Sequence, residues 1–168
     1  MKKTLSFLLS IVLCTGIASA QDWDFGNSYE NKLHNVGIEM GCGGGFGENF
    51  TVDFGLRWQY NLHENFAWDV ITIKAIADVK KHCFKESITP TLLTGFRVIS
   101  PNFIGLTAYA NARVGYAYNV DNEDGGFAYE LGIGVNVTKH VYIGYAFNDN
   151  KVEHYDMDYH AFRLGFLF

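Results

Sequence analysis

The sequence predicts an all-β chain: eight antiparallel strands, connected up-and-down, closing into a transmembrane barrel. Three observations predict it. Over eight separate stretches of the 168 residues, apolar side chains alternate with small or polar ones, the period of a strand with two unlike faces. The connections between these stretches alternate between short turns (near 62, 101 and 139) and longer, more polar loops (near 45, 81, 122 and 152), the asymmetry of a barrel with turns at one rim and loops at the other. All four arginines, Arg57, Arg97, Arg113 and Arg163, fall on the polar, glycine-containing phase of their stretches. A guanidinium facing hydrocarbon costs about 2–4 kcal/mol at the bilayer midplane, so the opposite phase is the one that meets lipid.

The first 20 residues are excluded from this barrel. Lys2 and Lys3 precede a mostly apolar run over 5–13, and Ala18, Ser19 and Ala20 stand just before Gln21, the pattern of a secretory signal peptide with a small-residue cleavage site. Residues 21–31 are polar with a few aromatics and read as a periplasmic lead-in, and 32–168 as the barrel domain. Cleavage removes two of the 13 basic residues (Lys2 and Lys3) and none of the 18 acidic ones, leaving a formal charge of about −7, which disfavours nucleic acid as a partner. Two prolines, 18 glycines and abundant Tyr and Phe favour strands. Mean hydropathy is near zero, as a half-lipid-facing, half-polar barrel requires.

The strands are expected over 33–42, 50–60, 66–77, 86–98, 103–118, 127–137, 141–147 and 159–168. Gly43, Gly44 and Gly45 end the first in a flexible loop; they lack the Gly-Lys-Ser/Thr ending of a phosphate cradle. The second is the cleanest, with Phe50, Val52, Phe54, Leu56, Trp58 and Tyr60 opposed to Thr51, Asp53, Gly55, Arg57 and Gln59. In the third, Phe66, Trp68 and Val70 hold one phase and Ile71 and Ile73 the other, a switch that a β-bulge near Val70 would explain. Pro90 sits near the start of the fourth, where a missing backbone donor is more easily tolerated. Ser100, Pro101 and Asn102 read as a tight turn, 119–125 as an acidic loop, and 148–156 as a long charged loop. The eighth alternates Phe162, Leu164, Phe166 and Phe168 with Ala161, Arg163 and Gly165 and stops flush at Phe168.

The signal peptide, the alternation and the terminal Phe168 together resemble the small eight-stranded outer-membrane β-barrels, the outer-membrane protein A and X type, across the whole mature chain. The resemblance implies a porin-like barrel domain in the cell envelope of a Gram-negative bacterium. It implies outer-membrane lipid and lipopolysaccharide around the barrel, and Phe162, Leu164, Phe166 and Phe168 as an insertion signal for the barrel-assembly machinery. The expected molecule is a monomer whose loops are open to an extracellular partner.

A barrel of eight strands is filled by its own side chains, so a wide pore is not expected. The interior phase carries Glu39, Asp53, Arg57, Asp69, Arg97, Arg113, Glu130 and Arg163, and buried charges must find partners. The expected chemistry is a paired charge network in the lumen, with a structural or surface-interaction role and at most small-ion conductance. The alternative is a lipid A-modifying outer-membrane enzyme of the deacylase or acyltransferase type. It would need a Ser and a His together near the outer leaflet; His160 lies near that rim, but of the mature serines Ser28, Ser87 and Ser100 none is near it in sequence, and Ser87, near the outer end of the fourth strand, could approach it only through the fold. No catalytic residue, cofactor or metal is therefore assigned; the loop residues His82, Cys83, Glu153, His154, Asp156, Asp158 and His160 show no ligand spacing. Cys42 and Cys83 are left as a possible disulfide, since secretion permits one and both lie toward the same rim.

Overall fold

The computed structural model describes residues 33–45, 50–79, 87–101, 105–121, 123–152 and 155–168. The signal sequence, the lead-in and Cys83 lie outside them.

The eight strands are β1 (His34–Gly44), β2 (Phe50–His63), β3 (Phe66–Val79), β4 (Ser87–Ile99), β5 (Thr107–Asn119), β6 (Asp124–Asn136), β7 (Val141–Val152) and β8 (Tyr155–Leu167). Each pairs antiparallel with its neighbour in sequence, and β1 pairs with β8 to close the barrel. Closure leaves no unpaired sheet edge. Eight strands return the chain to the rim at which β1 begins, where the Phe168 amide donates to the Val36 carbonyl at 2.8 Å.

The two faces are inverted relative to a water-soluble barrel. On β2, Thr51, Asp53, Gly55, Arg57, Gln59 and Asn61 are buried inside, while Phe50, Val52, Phe54, Leu56 and Trp58 face out. The same division runs around the barrel, to Ile133 at 63% exposed and Phe162 at 71%. An apolar band of this extent does not persist against water. Lipid removes the cost, and the closed ladder satisfies the backbone groups that hydrocarbon cannot.

The phase switch in β3 is a bulge. Across β2 the register steps from Trp58↔Ile71 to Gln59↔Asp69, so Val70 is extra. Against β4 it steps from Asp69↔Gly95 to Thr72↔Leu93. Thr94 secures the irregularity: its hydroxyl accepts from the Trp68 indole at 3.1 Å and donates to the Asp69 carbonyl at 3.1 Å. Beyond the bulge Thr72, Lys74 and Ile76 turn inward, and Ile73 turns out.

Three expected boundaries are corrected. β2 continues to His63, leaving only Glu64 and Asn65 as the turn into β3. The fifth strand starts at Thr107, not at 103, because Gly105 adopts a φ of 79°, a left-handed conformation that no strand continues through. Most of the expected 148–156 loop is strand. β7 runs to Val152 and β8 resumes at Tyr155, with pairs from Asn148↔Tyr159 to Val152↔Tyr155. The ladder persists there although the apolar alternation has ended.

The β6–β7 turn is held by Thr138, whose Oγ1 accepts from the His140 and Val141 amides at 3.1 and 3.0 Å, a local bond that this residue type favours at turns.

Candidate functional site

The inside of the barrel is where the polar residues converge. A large interior side chain repeatedly lies opposite a glycine of the adjacent strand: Arg57 opposite Gly37, Asp53 opposite Gly41, Arg113 opposite Gly95, Tyr109 opposite Gly134, Tyr142 opposite Gly165. The pairing is steric. A Cβ on Gly165 would overlap the Tyr142 ring, and one on Gly41 would overlap the Asp53 carboxylate.

Glu39 and Glu130 are the centre of a continuous network. Arg113 Nη1 donates to Glu39 Oε1 and Glu130 Oε1, both at 2.9 Å, and its Nε donates to Asp69 Oδ2 at 2.7 Å. From the loop side, Arg163 Nη1 donates to Glu130 at 2.5 Å and lies 3.4 Å from Glu39, while its Nη2 donates to Asp53 at 3.1 Å. Lys74 contacts both glutamates, lying 3.4 Å from Glu39 and hydrogen-bonded to Glu130. Neutral donors complete the acceptor sets: Tyr142 to Glu39 at 2.8 Å, Tyr159 to Asp53 at 3.0 Å and Asn111 to Glu130 at 3.0 Å.

Toward the turn rim the pattern changes. Arg57 reaches Asp69 only at 3.9 Å and stacks over the Tyr142 ring at 4.8 Å. Arg97 stacks over Tyr109 at 4.1 Å and over the same Tyr142 ring at 5.1 Å. These are cation–π contacts in place of ion pairs. Among the described residues, three buried apolar clusters also lie in the interior: Ile76, Tyr159 and Ala161; Leu93, Ala117 and Ala128; and, at the turn rim, Ile99, Tyr109, Tyr142 and Leu167.

No family model matches the chain, and no curated protein matches it. Among solved structures, a de novo designed transmembrane β-barrel is similar with a TM-score of 0.51 at 16% identity, over 83% of this chain and 99% of the design. The fold is that of a transmembrane β-barrel. Two natural barrels are similar at lower scores. One is Ail, the attachment invasion locus protein of Yersinia pestis (TM-score 0.47, 12% identity, 80% of this chain and 96% of that one). The other is the N-terminal β-barrel domain of Pseudomonas aeruginosa OprF (TM-score 0.44, 15% identity, 80% and 97%).

Within this transmembrane barrel, Glu39, Asp53, Arg57, Asp69, Arg97, Arg113, Glu130 and Arg163 are all buried on the interior phase. Six of them join the network described above, and Arg57 and Arg97 stand at its end. Sequence reasoning missed Lys74, Tyr109, Tyr142 and Tyr159. The signal for Lys74 was available: once the bulge is placed between Asp69 and Thr72, its position is an interior one. The tyrosines carry a weaker signal, since only the strand register reveals the small residues across from Tyr109 and Tyr142.

The other expected residues are dispersed. Phe162 and Phe168 are exposed on the outer face and Leu164 and Phe166 half-buried there, while Leu167, next to Phe168, points inward. Cys42 is exposed on the outer face of β1, across the closing seam from Phe162. His160 is also on the outer face, its Nδ1 2.5 Å from the Tyr145 hydroxyl and its ring against Phe147. Ser87 begins β4, which three strands separate from β8 in either direction around the barrel. The fold thus does not bring Ser87 and His160 together. No cluster of metal-ligating side chains occurs among the described residues.

Proposed function

We propose that this protein is a sealed barrel of the bacterial outer membrane, with a structural or surface-interaction role and no open conduction path. The observation that carries the reading is the Glu39, Glu130, Arg113, Arg163 and Lys74 network, which ties β1, β3, β5, β6 and β8 together across the lumen. An ion in transit would have to displace charge-assisted hydrogen bonds in a low-dielectric interior, where each is stronger than in water. On this reading the apolar band sits in lipid, with lipopolysaccharide around the loop rim. The β7–β8 hairpin is the element presented to a partner, and the barrel is a monomer. The outward side chains of β8 are the part offered to the barrel-assembly machinery.

Two measurements test it. Outer-membrane fractions should contain the protein as a heat-modifiable species, migrating differently on a gel before and after boiling; a soluble periplasmic product would sink the reading. In planar bilayers the protein should insert without long-lived open steps, and sustained conductance in the wild type would count against a sealed lumen. Deleting Phe168, which also removes its bond to Val36, should lower the folded fraction recovered from membranes.

A further inference from the structure

Among the described residues the interior network does not balance. Its cations are Arg57, Lys74, Arg97, Arg113 and Arg163, and its anions are Glu39, Asp53, Asp69 and Glu130, five against four, all buried. The surplus is localised. Lys74, Arg113 and Arg163 each bond or contact at least two carboxylates. At the turn-rim end, Asp69 Oδ2 is occupied by Arg113, and its other oxygen lies 3.9 Å from Arg57 Nε.

Arg57 and Arg97 are each 1% exposed. Among the described residues, Arg57 Nε, Nη1 and Nη2 and Arg97 Nε and Nη1 have no hydrogen-bond acceptor, nor does the hydroxyl of Thr72, the register partner of Arg57 on β3, make a bond. Both guanidinium groups approach the Tyr142 ring, at 4.8 and 5.1 Å. Two like charges are thus held about one aromatic ring, with N–H groups that none of the described residues satisfies. Buried donors left this way cost more than the bonds they would make, and cation–π contact with Tyr142 and Tyr109 leaves the in-plane N–H directions unspent.

We propose that Arg57 and Arg97, with Thr72 across from Arg57, form a binding site for one small inorganic anion of the halide class in the turn-rim half of the lumen. A single negative charge there offsets the excess of cations among the described residues and accepts from both guanidinium groups. A small anion is the fitting occupant, because Tyr109 and Tyr142, over which the two arginines lie, belong to a buried apolar cluster with Ile99 and Leu167. The inference does not depend on the membrane partner or surface role of the barrel.

The test uses the full mature barrel in detergent, with chloride exchanged for gluconate at constant ionic strength. Chloride should broaden its own magnetic-resonance line saturably and raise the temperature of the gel-shift transition. Arg57→Gln combined with Arg97→Gln should weaken that saturable binding on the order of tenfold or more, as expected for loss of charge-assisted bonds. Crystals of the wild type grown in bromide give a second, variant-free readout: an anomalous peak between the Arg57 and Arg97 guanidinium groups is expected. Bromide found only on the outer surface, ordered water alone between the two arginines, or broadening unchanged in the double variant would each overturn the proposal.

Discussion

Arg113 shows what one buried side chain does in this barrel. It bonds Glu39, Asp69 and Glu130 at once, so replacing it leaves Asp69 with Arg57 at 3.9 Å as its nearest cation and takes a donor from both glutamates in an interior that cannot solvate them. Breaking a buried ion pair from one side costs about 3–5 kcal/mol. Arg113→Gln should therefore lower the unfolding free energy, measured by denaturant titration in detergent, by that order. Lys151 provides the contrast: its side chain is 62% exposed and 3.8 Å from Asp149. Lys151→Ala should shift the same titration by no more than about 1 kcal/mol. Thr94 lies between these extremes, because its hydroxyl makes two bonds across the bulge. Thr94→Val should cost about 1–2 kcal/mol, counting each lost bond at about 1 kcal/mol or less. Equal effects of Arg113→Gln and Lys151→Ala would show that the network contributes no more than a surface pair.

At this scale much of the interior can be read from sequence, and the reason is physical. Alternation assigns a face to every residue of a regular strand, so the inward position of Arg57, Arg97 or Glu130 follows from its apolar neighbours. Alternation says nothing about who touches whom across the lumen. That Arg113 meets three carboxylates while Arg57 and Arg97 share a tyrosine depends on register and shear, which no local pattern carries. Lys74 was lost for a different reason: the phase itself breaks two residues before Thr72.

β3 carries that break, and its consequence reaches beyond one residue. Val70 is the inserted position, and it allows Trp68 to face out before the bulge and Lys74 to face in after it. Deleting Val70 removes the extra residue and restores strict alternation, with Trp68, Ile71 and Ile73 out and Asp69, Thr72 and Lys74 in. A strand that kept Val70 without the bulge would instead turn its loop-side half, so that Lys74 meets lipid, at about 2–4 kcal/mol near the midplane, and Glu39 and Glu130 lose a cation. The deletion should therefore keep the heat-modifiable form, as should Val70→Ala; loss of that form in the deletion variant alone would mean that the bulge is needed for more than keeping the faces in phase. β7 and β8 show the opposite limit of pattern reading. Over 148–152 the sequence is Asn, Asp, Asn, Lys and Val, and no apolar phase marks a strand. The hairpin continues because the partner strand keeps supplying ladder hydrogen bonds after the lipid that imposes alternation has been left behind.

For the molecule as a whole, closure couples these elements. Every strand is held on both sides, and the interior bonds run between strands that are not neighbours: Arg113 on β5 to Glu39 on β1, Tyr142 on β7 to Glu39, Tyr159 on β8 to Asp53 on β2. A local weakness at one level is therefore felt around the circumference. The fold class and strand count were legible because both follow from repetition along the chain. The long ladder of β7 and β8 and the cross-lumen contacts were not, because both depend on what stands beside a strand in space.

The seam between β1 and β8 gives this architecture a direction in time. It joins the first strand to the last over eight register pairs, against eleven between β1 and β2, and Gly37, Gly41, Gly43 and Gly44 leave β1 few side chains to recognise its partner. Pairing at the greatest sequence separation is slowest to form. Until it forms, the chain is a ribbon with two unsatisfied edges, open to pairing with another copy. Cys42 lies opposite Phe162 on that seam, within the separation of directly paired strand residues that a disulfide can span. In a Phe162→Cys, Cys83→Ser chain, oxidative cross-linking should follow the gel-shifted form rather than precede it. The seam then acts as the clock of assembly, and the moment at which the two ends of the chain meet is also the moment at which the protein ceases to be an aggregation hazard.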